Sequence, residues 1–143
     1  MPSLNKGDTR LIISISKARG LLRNQCAYVL ASVYHETGGR MVPVRETFAT
    51  SDAQAKSRLT AAWKSGKLPW VKSDYWSGGF FGRGDIQLTH EANYRKAGQK
   101  LGYGNEFVSN PDRLLESEIS AKVAVAGCQE GWFTGKKLGN TLS

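Results

Sequence analysis

The chain has 143 residues, 40% of them hydrophobic and 22% charged, with a formal net charge of +8 and a pI near 9.7. That length predicts one domain over 1–143 with one ordinary core, and the composition excludes a wholly disordered chain. The basic balance favours polyanionic partners, but Lys and Arg are scattered rather than clustered, which argues against a nucleic-acid-binding arm.

The opening "MPSLNKGDTR" is polar, and "LIISIS" is too short for an export core, so the expectation is synthesis in a cytoplasm without a signal peptide. No stretch approaches the roughly 20 apolar residues of a membrane span, so no stable membrane insertion is expected. Leu11–Ala18 predicts a short helix ending near Gly20. Arg23–Glu36 carries Cys26, Ala27, Leu30, Ala31, Val33 and Tyr34 at spacings of three and four, which predicts an amphipathic helix with a buried face. Gly38 and Gly39 stop it. A third helix is predicted over Asp52–Lys64, capped by Ser51 or Thr50.

Periodicity breaks in "SGKLPWVKSDYWSGGFFGRGD", which reads as a long functional loop or small hairpin region. Helix returns over His90–Leu101 with Thr89 as N-cap. "NPDRLLES" begins a turn with Pro111 at a first helical position. Glu116–Glu130 forms a last helix, and the tail "GWFTGKKLGNTLS" is punctuated by glycine. The expected fold is mainly α, with at most a small antiparallel β-hairpin element around Phe80–Gln87.

Cys26 and Cys128 lie in apolar helical stretches and read as free, buried thiols. His35 and His90 show no metal-ligand spacing, so neither a metal nor a cofactor is expected.

Chemistry concentrates in "YHETGGRMVPVRE". Glu36 falls at a helix C-terminus beside apolar residues. The helix dipole and the loss of water both disfavour its charged form, which suits a general acid. The Gly-Gly and Pro-containing turn can fold Glu46 back across a cleft from it, the pairing that glycoside hydrolysis needs. The bland alternative is a surface pair of Glu46 with Arg40 or Arg45. Trp63, Trp70, Tyr75, Trp76, Phe80 and Phe81 then supply flat faces that suit sugar rings, although several must also fill the core. Gln87, Thr89 and Asn93 offer amide and hydroxyl groups to sugar substituents. The tripeptide at Arg83–Asp85 matches an adhesion signal by coincidence. Its glycines let the backbone turn tightly.

"HETGG" at His35–Gly39 and "FFGRGDIQLTHEANY" at Phe80–Tyr94 resemble glycoside hydrolase family 19, which contains chitinases and phage endolysins. "NPDRLLESEISAKVAVAGCQEGWFTGKKL" is similar to the endolysin branch, and the likeness runs from Gln25 to Leu138. It implies a lysozyme-like helical domain with a substrate cleft, and inverting hydrolysis of a β-1,4 bond in a polymer containing N-acetylglucosamine. Glu36 matches the family's general acid. Glu46 matches the second carboxylate of the endolysin branch, whereas in plant chitinases that Glu lies further on. Gln87, Thr89 and Asn93 match positions that bind substrate or hold the attacking water. Tyr75, Trp76, Phe81 and Arg83 complete the expected substrate-binding set. Asp85 stands where an apolar or aromatic residue is more usual, either as a third acid in the cleft or facing solvent. Family members continue into a further helical segment that is expected to be absent here.

The first functional expectation is therefore an endolysin-type enzyme cleaving between N-acetylmuramic acid and N-acetylglucosamine. It would act as a monomer, on the wall, after release through a holin-type pore. A chitinase is the alternative, and a glycan-binding protein without catalysis is a third reading.

Overall fold

The computed structural model describes residues 4–133; most of the glycine-punctuated tail lies outside them. Six α-helices dominate the described residues: α1 (Thr9–Ala18), α2 (Arg23–Glu36), α3 (Asp52–Lys64), α4 (Glu91–Leu101), α5 (Glu106–Ser109) and α6 (Ser117–Glu130). The single sheet pairs β1 (Val44–Arg45) with β2 (Arg83–Gly84), antiparallel, with Val44 opposite Gly84 and Arg45 opposite Arg83. The mainly helical class expected from the sequence is what forms.

Local chemistry explains most boundaries. The first two helices close with the same motif. In α1, Gly20 is left-handed, its N–H bonds Lys17 O, and the Leu21 N–H reaches back to Ser16 O. In α2, Gly38 takes φ 59°, its N–H bonds His35 O, and the Gly39 N–H reaches Tyr34 O at 2.7 Å. Ser51 caps α3 by accepting the Gln54 N–H at 3.1 Å, while the Gln54 side chain accepts from Thr50 N–H at 2.8 Å.

Packing centres on α6, whose small apolar run "AKVAVAG" is buried on most sides. One face joins Ile12 of α1 and Val29 and Val33 of α2. The other joins Tyr94, Ala97 and Phe107. A separate cluster of Ala55, Leu59, Trp76 and Phe81 lies under the aromatic loop.

Two local expectations are corrected. The α2 core face is Val29 and Val33, with Cys26 and Leu30 partly buried; Ala27, Ala31 and Tyr34 are exposed. Of these three, only Ala31 lies on the face of α2 that lines a cleft with Glu36. Thr89 does not cap α4. His90 holds that place at φ 76°, anchored by its N–H to Phe80 O at 2.8 Å. The small antiparallel element expected around Phe80–Gln87 forms as β2, which takes β1 as its strand partner and adds a bridge between Arg83 and Leu88. Both cysteines are free; Cys128 is buried and Cys26 partly so. Among the described residues no helix is long and apolar enough to cross a membrane.

Candidate active site

A cleft of about 650 Å³ opens between α2, the segment after β2 and the end of α6. Its α2 wall is Tyr28, Ala31, Ser32, His35 and Glu36, and its opposite wall runs from Ile86 to His90 and on to Asn93. The α2 residues recur at three and four, so one helical stripe faces the cleft and ends on Glu36. The glycine closure of α2 makes Glu36 the last helical residue. The turn beyond it is rigid: the Thr37 hydroxyl donates to Val33 O at 2.7 Å and accepts the Met41 N–H at 2.9 Å. Glu36 is half-buried, and its carboxyl makes no hydrogen bond or ion pair among the described residues. An uncommitted carboxyl in a partly apolar cleft is free to exchange a proton with a bound molecule.

Glu46 is held in the opposite way. Its Oε2 accepts from the Tyr75 hydroxyl at 2.7 Å and its Oε1 from the Gly82 N–H at 2.9 Å. Its own N–H bonds Gly82 O at 2.7 Å. Burial first, then the Glu46 carboxylate, push the Tyr75 phenol well above its ordinary range, so it remains a donor. Glu46 does not line the Glu36 cleft but stands one contact away. Tyr75 packs edge-on against His90, a cleft residue, with centroids 5.0 Å apart. Neither Arg40 nor Arg45 pairs with Glu46; Arg45 pairs with Asp52 and Asp112.

Gln87, Thr89 and Asn93 do line the cleft, but two are already engaged. Gln87 Nε2 donates to Val44 O at 2.9 Å and to Gly84 O at 3.2 Å, bracing both strands. Gly82 must be glycine for this: a Cβ there would stand 2.4 Å from Gln87 Oε1. Asn93 Nδ2 donates to Thr89 O at 2.9 Å.

The expected sugar-binding role of Trp76, Phe81 and Arg83 is corrected, because all three side chains are buried away from the cleft. Trp76 and Phe81 fill the third cluster. Arg83, 1% exposed, stacks on Phe81 at 4.1 Å and donates to Asp52, Asp112, Gly79 O and the Tyr94 hydroxyl. A buried guanidinium needs such partners, and these tie β2 to α3, α4 and the turn at Pro111–Leu115.

Asp85 is neither in the cleft nor in solvent. It is fully buried beside Asp8, and both of its carboxylate oxygens and one of Asp8 lack a donor as ions. Burial, reinforced by Asp8, pushes Asp85 up to about 9, so a proton shared between the two acids satisfies them at neutral pH.

Sequence reasoning passed over His35, His90, Tyr28, Cys128 and Trp132 as cleft residues. Tyr28 and His35 were legible as members of the stripe that ends on Glu36. Trp132 carried no comparable signal. Burial pushes the Cys128 thiol up to about 12, so it is a wall and not a nucleophile. No group of three or more His, Cys, Asp or Glu among the described residues is placed to hold a metal.

The chain is 45% identical over 70 residues to the acidic 26 kDa endochitinase of Solanum lycopersicum, covering 48% of this chain and 25% of that protein. It is 38% identical over 85 residues to acidic endochitinase Q of Nicotiana tabacum, covering 59% and 30%. A third relative, the acidic endochitinase pcht28 of Solanum chilense, is 56% identical over 40 residues, covering 28% and 16%. The chain thus spans less than a third of the length of these relatives. No solved structure matches. The family model described as chitinase class I matches residues 16–137, nearly the whole chain, and the chain belongs to glycoside hydrolase family 19.

Proposed function

We propose that the chain hydrolyses β-1,4 bonds in polymers of N-acetylglucosamine, of the chitin type, with inversion. The observation that carries this is the contrast between the two carboxylates. Glu36 faces the cleft without a partner and serves as general acid, protonating the leaving oxygen. Glu46, fixed by two donors, is the carboxylate that activates water. Inversion calls for the two carboxyl groups to stand about 6.5–9.5 Å apart, with the water between them. Family membership and the names of the relatives support chitin as the substrate class.

Glu36→Gln is expected to abolish release of reducing ends from chitin oligosaccharides while leaving the thermal transition unchanged. Glu46→Gln is expected to lower the rate by about a hundredfold or more, in the range of a lost general base. Product anomers read by NMR immediately after cleavage should be inverted. A Glu36→Gln protein with full activity would remove Glu36 from the mechanism.

A second reading, cleavage between N-acetylmuramic acid and N-acetylglucosamine in bacterial wall, is favoured by one observation. The net charge of +8 suits an anionic wall better than neutral chitin. Clearing of permeabilised bacterial cells, with stem peptides intact in the products, distinguishes it.

A further inference from the structure

Immediately after Glu46 the backbone takes two consecutive left-handed steps at residues other than glycine: Thr47 at φ 65° and Phe48 at φ 58°. A β-branched residue there is a genuine outlier. Such conformations persist only where the surroundings impose them. Here Arg58 Nη1 holds Thr47 O at 2.9 Å. The Thr47 hydroxyl is buried with no partner, a further cost of this geometry.

The strained turn puts an aromatic ring at the surface. Phe48 is 45% exposed, and the Arg40 guanidinium lies over its face at 4.2 Å. Both crowd the turn that follows Glu36. A Cβ at Gly38 would meet Arg40 Nη1 at 2.9 Å and Phe48 Cζ at 3.4 Å. The pair therefore sits where the Glu36 and Glu46 segments meet. A groove of about 250 Å³ opens there, lined by Arg40, Val44, Arg45 and Phe48 among others.

The two arginines of that groove differ. Arg45 is committed to Asp52 and Asp112. Arg40 donates once to Thr37 O at 3.2 Å and has no acidic partner among the described residues. A guanidinium fixed on an aromatic face, with its remaining N–H groups unclaimed, matches a planar carboxylate. Neutral chitin carries no such group.

We propose that Arg40, held on Phe48 beside the Glu36 turn, is a subsite for a carboxylate-bearing branch on the glycan. The ligand class is a β-1,4 glycan containing N-acetylmuramic acid. Its carboxylate belongs either to the lactyl ether or to the stem peptide that extends it. The proposal rests on the glycosidase reading of the neighbouring cleft in its second form, cleavage of bacterial wall glycan, and deepens it by naming a determinant of substrate choice.

The test measures binding separately from hydrolysis. In a Glu36→Gln background, calorimetry gives Kd for chitohexaose, for glycan strands stripped of peptide, and for strands retaining it. Adding Arg40→Gln should weaken the acidic strands relative to chitohexaose by roughly five- to tenfold, the scale of one charge-assisted contact at a surface. Arg40→Lys should recover part of that, and raised salt should erase the difference. An effect confined to stripped strands assigns the lactyl carboxylate. One confined to strands with peptide assigns the stem. Equal weakening of all three ligands, or none, overturns the subsite, as does failure of the parent protein to bind either acidic strand. Thermal melting guards against a folding defect. If selectivity depends on Arg40 while the native chain cleaves none of the three, the subsite stands and the hydrolase reading falls.

Discussion

At the scale of single side chains, the acids fall into three environments. Glu36 has no partner among the described residues, Glu46 is held by two donors, and Asp85 shares a buried site with Asp8. The hydroxyl of Tyr75, a residue expected to touch sugar, donates to Glu46. Tyr75→Phe should lower kcat about tenfold with KM little changed, since in the proposed mechanism the lost bond orients the water-activating carboxylate rather than the substrate. Steady-state kinetics on a chitin oligosaccharide checks this. Asp85 predicts a dependence of stability on pH. Its proton is retained in the folded state up to about 9, while the unfolded chain loses it near 3.8, the ordinary value for an aspartate. The unfolded state therefore gains by ionising first, and this contribution to stability falls as pH rises through that window and levels off above it. Asp85→Asn should flatten the fall, gaining on the order of 2 kcal/mol at pH 8 by thermal or urea unfolding. Asp85 gave no sign of this in the sequence. A lone Asp after "GRG" reads as surface or site, and only the fold brings Asp8, at the head of α1, against it.

At the level of elements, the short sheet and the loops around it are held mainly by side chains. Two-residue strands supply few ladder bonds, and Arg83 compensates by bonding α3, the Pro111–Leu115 turn and Tyr94 together. Arg83→Gln should cost about 3 kcal/mol, toward the lower end for a broken buried pair because Asp52 and Asp112 can be rehydrated. A urea denaturation series measures it. The helices were legible because their ends carry chemistry: Gly20 and Gly38 past the last turn, Ser51 before the first. α2 and α3 end where the sequence said they should. The start of α4 was not legible, since His90 caps it through backbone geometry that no side-chain rule announces. The pairing of β2 with β1 was hidden for a related reason. Strands of two residues have no alternation to read, and partners some forty positions apart are fixed by tertiary contacts alone. The aromatic loop misled in the same direction. Six rings in and just before the loop suggested a sugar platform, yet burying Trp76 and Phe81 is what gives that loop a core of its own.

For the whole molecule, charge separates this chain from the relatives it resembles. Those are named acidic endochitinases, whereas this one carries 20 Lys and Arg against 12 Asp and Glu. Association with an anionic wall polymer should weaken as salt is raised from about 50 to 300 mM, and association with neutral chitin should barely change. Sedimentation with each polymer reads this directly. The architecture also has a temporal side. Ile12 of α1 is covered by α6, which is made about a hundred residues later. At the usual pace of synthesis, α1 waits on the order of 5–20 s for that cover. Until α6 clears the ribosome, the part of the Ile12 and Ile15 face that α2 leaves uncovered is exposed on a nascent chain, where a chaperone can bind it and a neighbouring chain can stick to it. Yield in a cell is then governed by how that interval is guarded, and slowing translation between α3 and α6 should cost more folded protein than slowing it anywhere before α1 emerges.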